Sequence, residues 1–273
     1  KSMVTIYSLG YQMEEIKKSR GKIGTNAYRT NISTLKRISN YEFSNIPIEK
    51  VKKESIEDFL EDERNKSNSI IKKDYGMLAR IYDYAEENDY IKKNFFRGFN
   101  KIEKTQSKIA TKQVNPMTFD EEKRFKQYLM NHSHPYRNLV LIELYTGMRL
   151  GETLALDISD IDIKSDTIRV SKILTHDENH KPYIHDSALS QTKDGARLVQ
   201  INNIFRNNVI EAMTNAEANE YNKEKLLFCQ DNGSLIFESS VNSYLKKVAK
   251  EVGLSYWKQF SSHRLRHTFA TRC

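Results

Sequence analysis

The chain has 273 residues, with 44 Lys and Arg against 36 Asp and Glu for a formal net charge of +8, and a pI of about 9.2. That length accommodates two domains with ample core, and four prolines and ten glycines argue against a disordered or repeat-built chain. The basic balance favours a polyanionic partner without singling out nucleic acid. The sequence shows no secretory leader and no apolar run long enough to cross a bilayer, and Cys229 and Cys273 read as free thiols of a reducing compartment. A soluble, cytoplasmic chain with no membrane partner is expected.

Residues 1–100 are predicted to form a bundle of about four helices. Ile6, Leu9, Met13 and Ile16 step by three and four, as do Tyr28, Ile32, Leu35 and Ile38, so each set lies along one helical face. Ile56, Phe59 and Leu60 mark a third helix after Pro47 and the lysine-rich turn at 50–53. Ile71, Tyr75, Leu78, Tyr82 and Ala85 mark a fourth. These stripes read as core. Lys17, Lys18, Arg20 and Lys22 form a basic run, a candidate DNA-binding patch that a solvated face would also explain. Residues 101–116 are basic and polar, have no sustained apolar period and end in Asn115-Pro116, as a linker would.

A second domain is predicted over 117–273, opened by Thr118-Phe119-Asp120-Glu121 with capping-box spacing. The apolar run Leu139, Val140, Leu141, Ile142 and Leu144 fits a buried helix stopped by Gly147. Arg149 then emerges at the start of the next helix. Glu152, three residues on, is placed to hold its guanidinium for a two-pronged contact with phosphate, or simply to close a helix junction.

Residues 166–175 alternate as a half-buried strand. Segments near 182–193 and 196–201 supply two more, in an antiparallel meander. Asp194-Gly195 is a type I′ hairpin signal that sets Lys193 at the tip. His176, Asp177, His180 and His185 occupy a polar stretch without metal-site spacing, read as a solvated loop. Helices follow near 203–216 and 239–252, with a turn at Asp231-Asn232-Gly233. In the last helix, His263 and Arg266 share one face of the first turn, where free N–H groups favour an anion such as phosphate. His267 sits about 100° around from Arg266, which favours a structural hydrogen bond over direct chemistry. The fold class expected is mainly α with a small antiparallel sheet.

Three segments taken together, Thr146-Gly147-x-Arg149-x-x-Glu152, Thr192-Lys193, and His263-x-Leu265-Arg266-His267-Thr268-Phe269-Ala270-Thr271, resemble the tyrosine recombinases, or phage integrases. Within that family the chain looks most like integrases of conjugative transposons. The resemblance implies an N-terminal core-binding domain and an α+β catalytic domain that close on duplex DNA as a C-shaped clamp. It also implies strand cleavage and rejoining through a 3′-phosphotyrosine, without metal or cofactor.

On this reading Arg149 and Arg266 neutralise the phosphate, Lys193 protonates the leaving oxygen and His263 handles the nucleophile's proton. Glu152 and His267 support them. The full-length enzyme would act as a tetramer on two DNA sites. The family's nucleophilic tyrosine should lie a few dozen residues past Arg266. The chain stops at Cys273, and Tyr256 precedes the motif. The expectation is therefore an internal fragment, beginning Lys-Ser, that binds DNA and lacks the nucleophile. The alternatives are a type IB topoisomerase and a non-cleaving DNA-binding protein derived from a recombinase.

Overall fold

The computed structural model describes residues 3–98, 115–177, 179–186 and 196–272. The fold is mainly α-helical with small antiparallel sheets, in two compact units, Lys1–Gln113 and Val114–Cys273. Residues 101–114 of the expected linker, Lys193 with its Asp194-Gly195 turn, and Cys273 lie outside the described residues.

The first unit contains α1 (Ile6–Ser19), α2 (Thr25–Ile38), α3 (Lys53–Glu63) and α4 (Asn68–Glu87). Thr5 caps α1: its Oγ1 accepts from the Ser8 N–H at 3.0 Å, while the Thr5 N–H donates to Ser8 Oγ at 2.9 Å. Ile6, Leu9 and Met13 meet Leu35, Ile38, Ile56, Phe59, Leu78 and Tyr82 in one core. Gly10 permits close approach of α1 to its neighbours, since a Cβ there would lie 2.5 Å from Leu35. Three fully buried carboxylates are each given a cation: Glu14 pairs with Lys17, Asp74 with Arg37 and Glu63 with Lys66. Uncompensated burial of such charges would be strongly unfavourable.

The second unit opens with α5 (Phe119–Asn131), whose capping box is formed: Thr118 Oγ1 accepts from the Glu121 N–H at 3.2 Å, and the Thr118 N–H donates to Glu121 at 2.8 Å. Helix α6 (Arg137–Thr146) is buried on nearly every side, as an all-round apolar helix must be. It ends at Gly147, which adopts φ 62° and donates its N–H to the Glu143 carbonyl at 2.9 Å. The single-turn helix α7 (Leu150–Leu154) follows, then α8 (Arg206–Ala218), α9 (Glu238–Glu251) and α10 (Ser262–Ala270).

The predicted strand over 166–175 divides at Ser171 into β2 (Thr167–Val170) and β3 (Lys172–His176). They pair with different partners, so the meander is corrected. Strand β2 lies between β1 (Ile161–Asp162) and β5 (Arg197–Gln200), while β3 pairs with β4 (Pro182–Asp186). The turn from β3 to β4 is fastened by Asp177, whose Oδ1 accepts the N–H groups of Asn179 and Lys181 at 2.9 and 2.8 Å. Strand β5 returns to β2 instead of β4, with Ile168 opposite Ile161 on one side and Val199 on the other. Buried Ile168 and Val170 alternate with Thr167 and Arg169. A one-residue slip would expose that apolar pair.

Candidate active site

Helix α10 packs on α6, and this contact builds the site. Ser262, Arg264, Leu265 and Thr268 form the buried face of α10, which turns His263 and Arg266 outward over the end of α6. Arg149, His263 and Arg266 then line one open cleft of about 360 Å³, together with Glu238, Asn242 and Ser262. A larger groove, about 640 Å³, is lined by His134, Arg137, Glu211 and Cys229 and contains none of the motif residues.

Gly147 makes the junction possible. Its left-handed backbone stops α6, and a Cβ there would lie 2.2 Å from the Phe269 ring. Its carbonyl accepts a hydrogen bond from Arg266 Nη1, so the Arg266 cation sits at the negative end of the α6 dipole. Arg149 follows two residues later as the N-cap of α7. The two guanidiniums are thus brought together by one turn of chain.

Glu152 holds Arg149 from two sides. Its Oε2 accepts the Arg149 N–H at 2.9 Å and its Oε1 accepts Arg149 Nη1 at 3.1 Å. It is also shared, which sequence reasoning missed: Arg197 makes a two-pronged contact to the same carboxylate at 3.1 and 2.7 Å. Burial opposes ionisation of Glu152, but hydrogen bonds from Arg197 and Arg149 outweigh it and hold the carboxyl below its usual range. With two arginines and one carboxylate, the trio retains one net positive charge. No sequence signal announces Arg197: alternation in β5 would turn Leu198 inward, yet Leu198 is 69% exposed and Arg197 is the half-buried neighbour that meets Glu152.

His263 is exposed on the cleft side, with its Nε2 3.0 Å from His267 Nε2. His267, four residues on, therefore orients the His263 ring. Partial burial, then the fields of His267 and Arg266, hold His263 below its ordinary pKa of 6.5. The neutral imidazole is favoured, and a neutral imidazole can accept a proton.

A second residue absent from the sequence reading is Glu143, 1% exposed, which bonds the Ser262 hydroxyl at the first turn of α10. Arg264 is also turned inward, lying over the Tyr256 ring at 4.0 Å. Tyr256 donates to Glu121 at 2.8 Å, and burial and that carboxylate raise its phenol to about 12. Among the described residues no tyrosine lines the cleft.

The basic run belongs to the first unit. Lys17 pairs with Glu14 at 2.9 Å and Lys18 lies over the Tyr28 ring at 4.5 Å, while Arg20 and Lys22 are exposed at the end of α1. Among the described residues, no group of three or more His, Cys, Asp and Glu could hold a metal ion, and no helix is long and apolar enough to cross a membrane.

Residues 115–273 match the phage integrase family. A tyrosine recombinase XerC-like protein of Caldanaerobacter subterraneus is 26% identical over 231 residues, covering 77% of this chain and 56% of that protein. The chain thus spans little more than half of that relative's length. Tyrosine recombinase XerC of Thermodesulfovibrio yellowstonii is 23% identical over 238 residues, 85% of this chain and 71% of that protein. Among solved structures, the Tn1549 transposon integrase in complex with transposon right-end DNA superposes with a TM-score of 0.82 at 21% identity, covering 98% of this chain and 86% of that one. A lambda integrase dimer bound to a core site gives 0.69 at 18%, covering 98% and 69%. With more than half its length matched, the chain belongs to the phage integrase family.

Proposed function

We propose that this chain binds duplex DNA and carries the phosphate-activating part of a strand-cleaving and rejoining site, as a tyrosine recombinase of the kind found on conjugative transposons. The observation that carries the reading is the convergence of Arg149, His263 and Arg266 on one open cleft.

In-line attack on a phosphodiester places charge on the non-bridging oxygens, and two fixed guanidiniums can neutralise it. Arg149 is oriented by Glu152 and Arg266 by the Gly147 carbonyl, so little ordering is left to do when a phosphate arrives. His263, held neutral and aimed by His267, accepts the proton of an attacking hydroxyl. Lys193 would serve the leaving 5′ oxygen, a role that rests on the family's pattern. The attacking tyrosine is proposed to be none of the described ones, because no described tyrosine lines the cleft. Two domains, residues 1–100 and 117–273 with a linker between, and a tetramer on two DNA sites complete the proposal.

Rejoining tests this directly, because it needs no protein nucleophile. A nicked duplex, chosen from a random pool by its binding to the chain, would carry a 3′-phosphate p-nitrophenyl ester beside a free 5′-hydroxyl. Attack of that hydroxyl on phosphorus restores the diester and releases p-nitrophenolate. Acceleration by the 273-residue chain, abolished by Arg149→Lys, is expected. Tight binding with no acceleration would contradict strand chemistry and favour a DNA-binding protein without it.

A further inference from the structure

Glu143 occupies an unusual place beneath the cleft. It is a carboxyl on an all-buried helix, 1% exposed, with one oxygen on the Ser262 hydroxyl and Oε2 without a hydrogen-bond partner. Among the described residues no cation compensates it, unlike Asp74 or Glu63 in the first unit. An uncompensated buried carboxyl is costly, so its contact with α10 merits a functional explanation.

The contact falls at a joint. Ser262 is the first residue of α10, next to His263. Its hydroxyl is bonded to Glu143 of α6, and its N–H donates to Asn242 Oδ1 of α9 at 3.0 Å. Asn242 in turn donates to the Glu238 carbonyl at 3.0 Å. The Glu143 carbonyl receives the Gly147 N–H, and the Gly147 carbonyl receives Arg266. Glu143 therefore meets the first turn of α10 through its side chain and the Gly147 turn through its carbonyl.

We propose that Glu143 and Ser262 form a positioning clasp for the phosphate site, locking the first turn of α10 to the end of α6 so that His263 and Arg266 face Arg149. This rests on the phosphate-site reading above. Neither residue is a group that reacts; both act through His263 and Arg266.

The clasp has a protonation state. Burial is the main cause that raises the Glu143 carboxyl from 4.5 to about 8, the Ser262 hydrogen bond opposes this, and Glu238 of α9 adds to the rise. From α10 it meets the uncharged Ser262 hydroxyl. Near neutrality the clasp is a neutral acid and adds no negative charge beneath a cleft already lined by Glu238 of α9. Above about 8 an anion appears beneath the cleft and opposes the phosphate.

The test follows the His263 Cε1–H resonance against pH in the 273-residue chain, in Glu143→Gln and in Ser262→Ala. The wild-type resonance should show its own inflection and a second near about 8, and Glu143→Gln should abolish the second. Ser262→Ala should displace the resonance, and Ser262→Thr, which keeps the hydroxyl, should restore it.

Affinity for thymidylyl-thymidine, a phosphodiester whose own charge is constant there, should fall roughly tenfold as wild type passes the second inflection, and stay level in Glu143→Gln. A second inflection that survives Glu143→Gln, or a resonance that ignores Ser262→Ala, would overturn the clasp. If the resonance behaves as expected and no protein binds the dinucleotide, the clasp stands and the phosphate reading falls.

Discussion

Glu143 and Glu152 lie on either side of Gly147, both buried, and their environments push them in opposite directions. Glu152 receives two arginines and is held ionised; Glu143 receives one serine hydroxyl and is held protonated. The difference lies in where the cations are placed. Arginines drawn to Glu152 fix Arg149 while leaving a net positive charge, whereas a cation at Glu143 would make that carboxyl an anion under the proposed phosphate site. One carboxyl orients by charge, the other by hydrogen bonding alone.

The change expected to break this arrangement most severely is Gly147→Ala. It forces a side chain onto a φ of 62° and into the Phe269 ring. A loss of roughly 2–4 kcal/mol is expected, read from the denaturation midpoint, together with loss of duplex binding as Arg266 leaves its seat. A cost within experimental error would show that α10 does not need this seat.

Next comes Arg197→Ala, which removes the two-pronged contact and leaves a buried carboxylate with one arginine. It should cost about 2 kcal/mol, allowing for the partial exposure of Arg197. It should also raise the Glu152 pKa, visible by carboxyl NMR. An unchanged Glu152 would mean that Arg149 alone holds it.

The two carboxyls also predict opposite pH slopes of stability. Glu143 is raised, so the stability it contributes is complete below its ordinary 4.5 and is lost as pH climbs to about 8. Glu152 is lowered, so its contribution is present above its ordinary value and is lost as pH falls through its folded one. Glu143→Gln should flatten the alkaline fall and leave the acid limb. Equal effects on both limbs would contradict the separation.

Much of this was legible in the sequence. The apolar run ahead of Gly147, the Thr118 capping box and the His263–Arg266 spacing each follow from local rules, and the structure forms all of them. What was not legible depends on contacts distant in sequence. Arg197 reaches Glu152 across 45 residues, and Ser262 reaches Glu143 across 119. Neither pairing leaves a periodic trace. The split at Ser171 is of the same kind, because alternation runs through it and only the return of β5 to β2 reveals the change of partner.

The smallest effect is expected at the basic run. Lys17 and Lys18 are engaged with Glu14 and Tyr28, so Arg20 and Lys22 are the better candidates for phosphate contact. Replacing either by Ala should change stability by less than about 0.5 kcal/mol. A true contact would lower the salt slope of duplex binding by about 1; an unchanged slope would assign the run to a solvated face.

The most direct test of the central claim, that Arg149, His263 and Arg266 seat one phosphate, is ethylation interference on a duplex selected by binding. Of the phosphates whose ethylation blocks wild-type binding, one per bound site should cease to block in both Arg149→Lys and Arg266→Lys. An interference pattern identical in wild type and both variants would show that the cleft does not hold the phosphate.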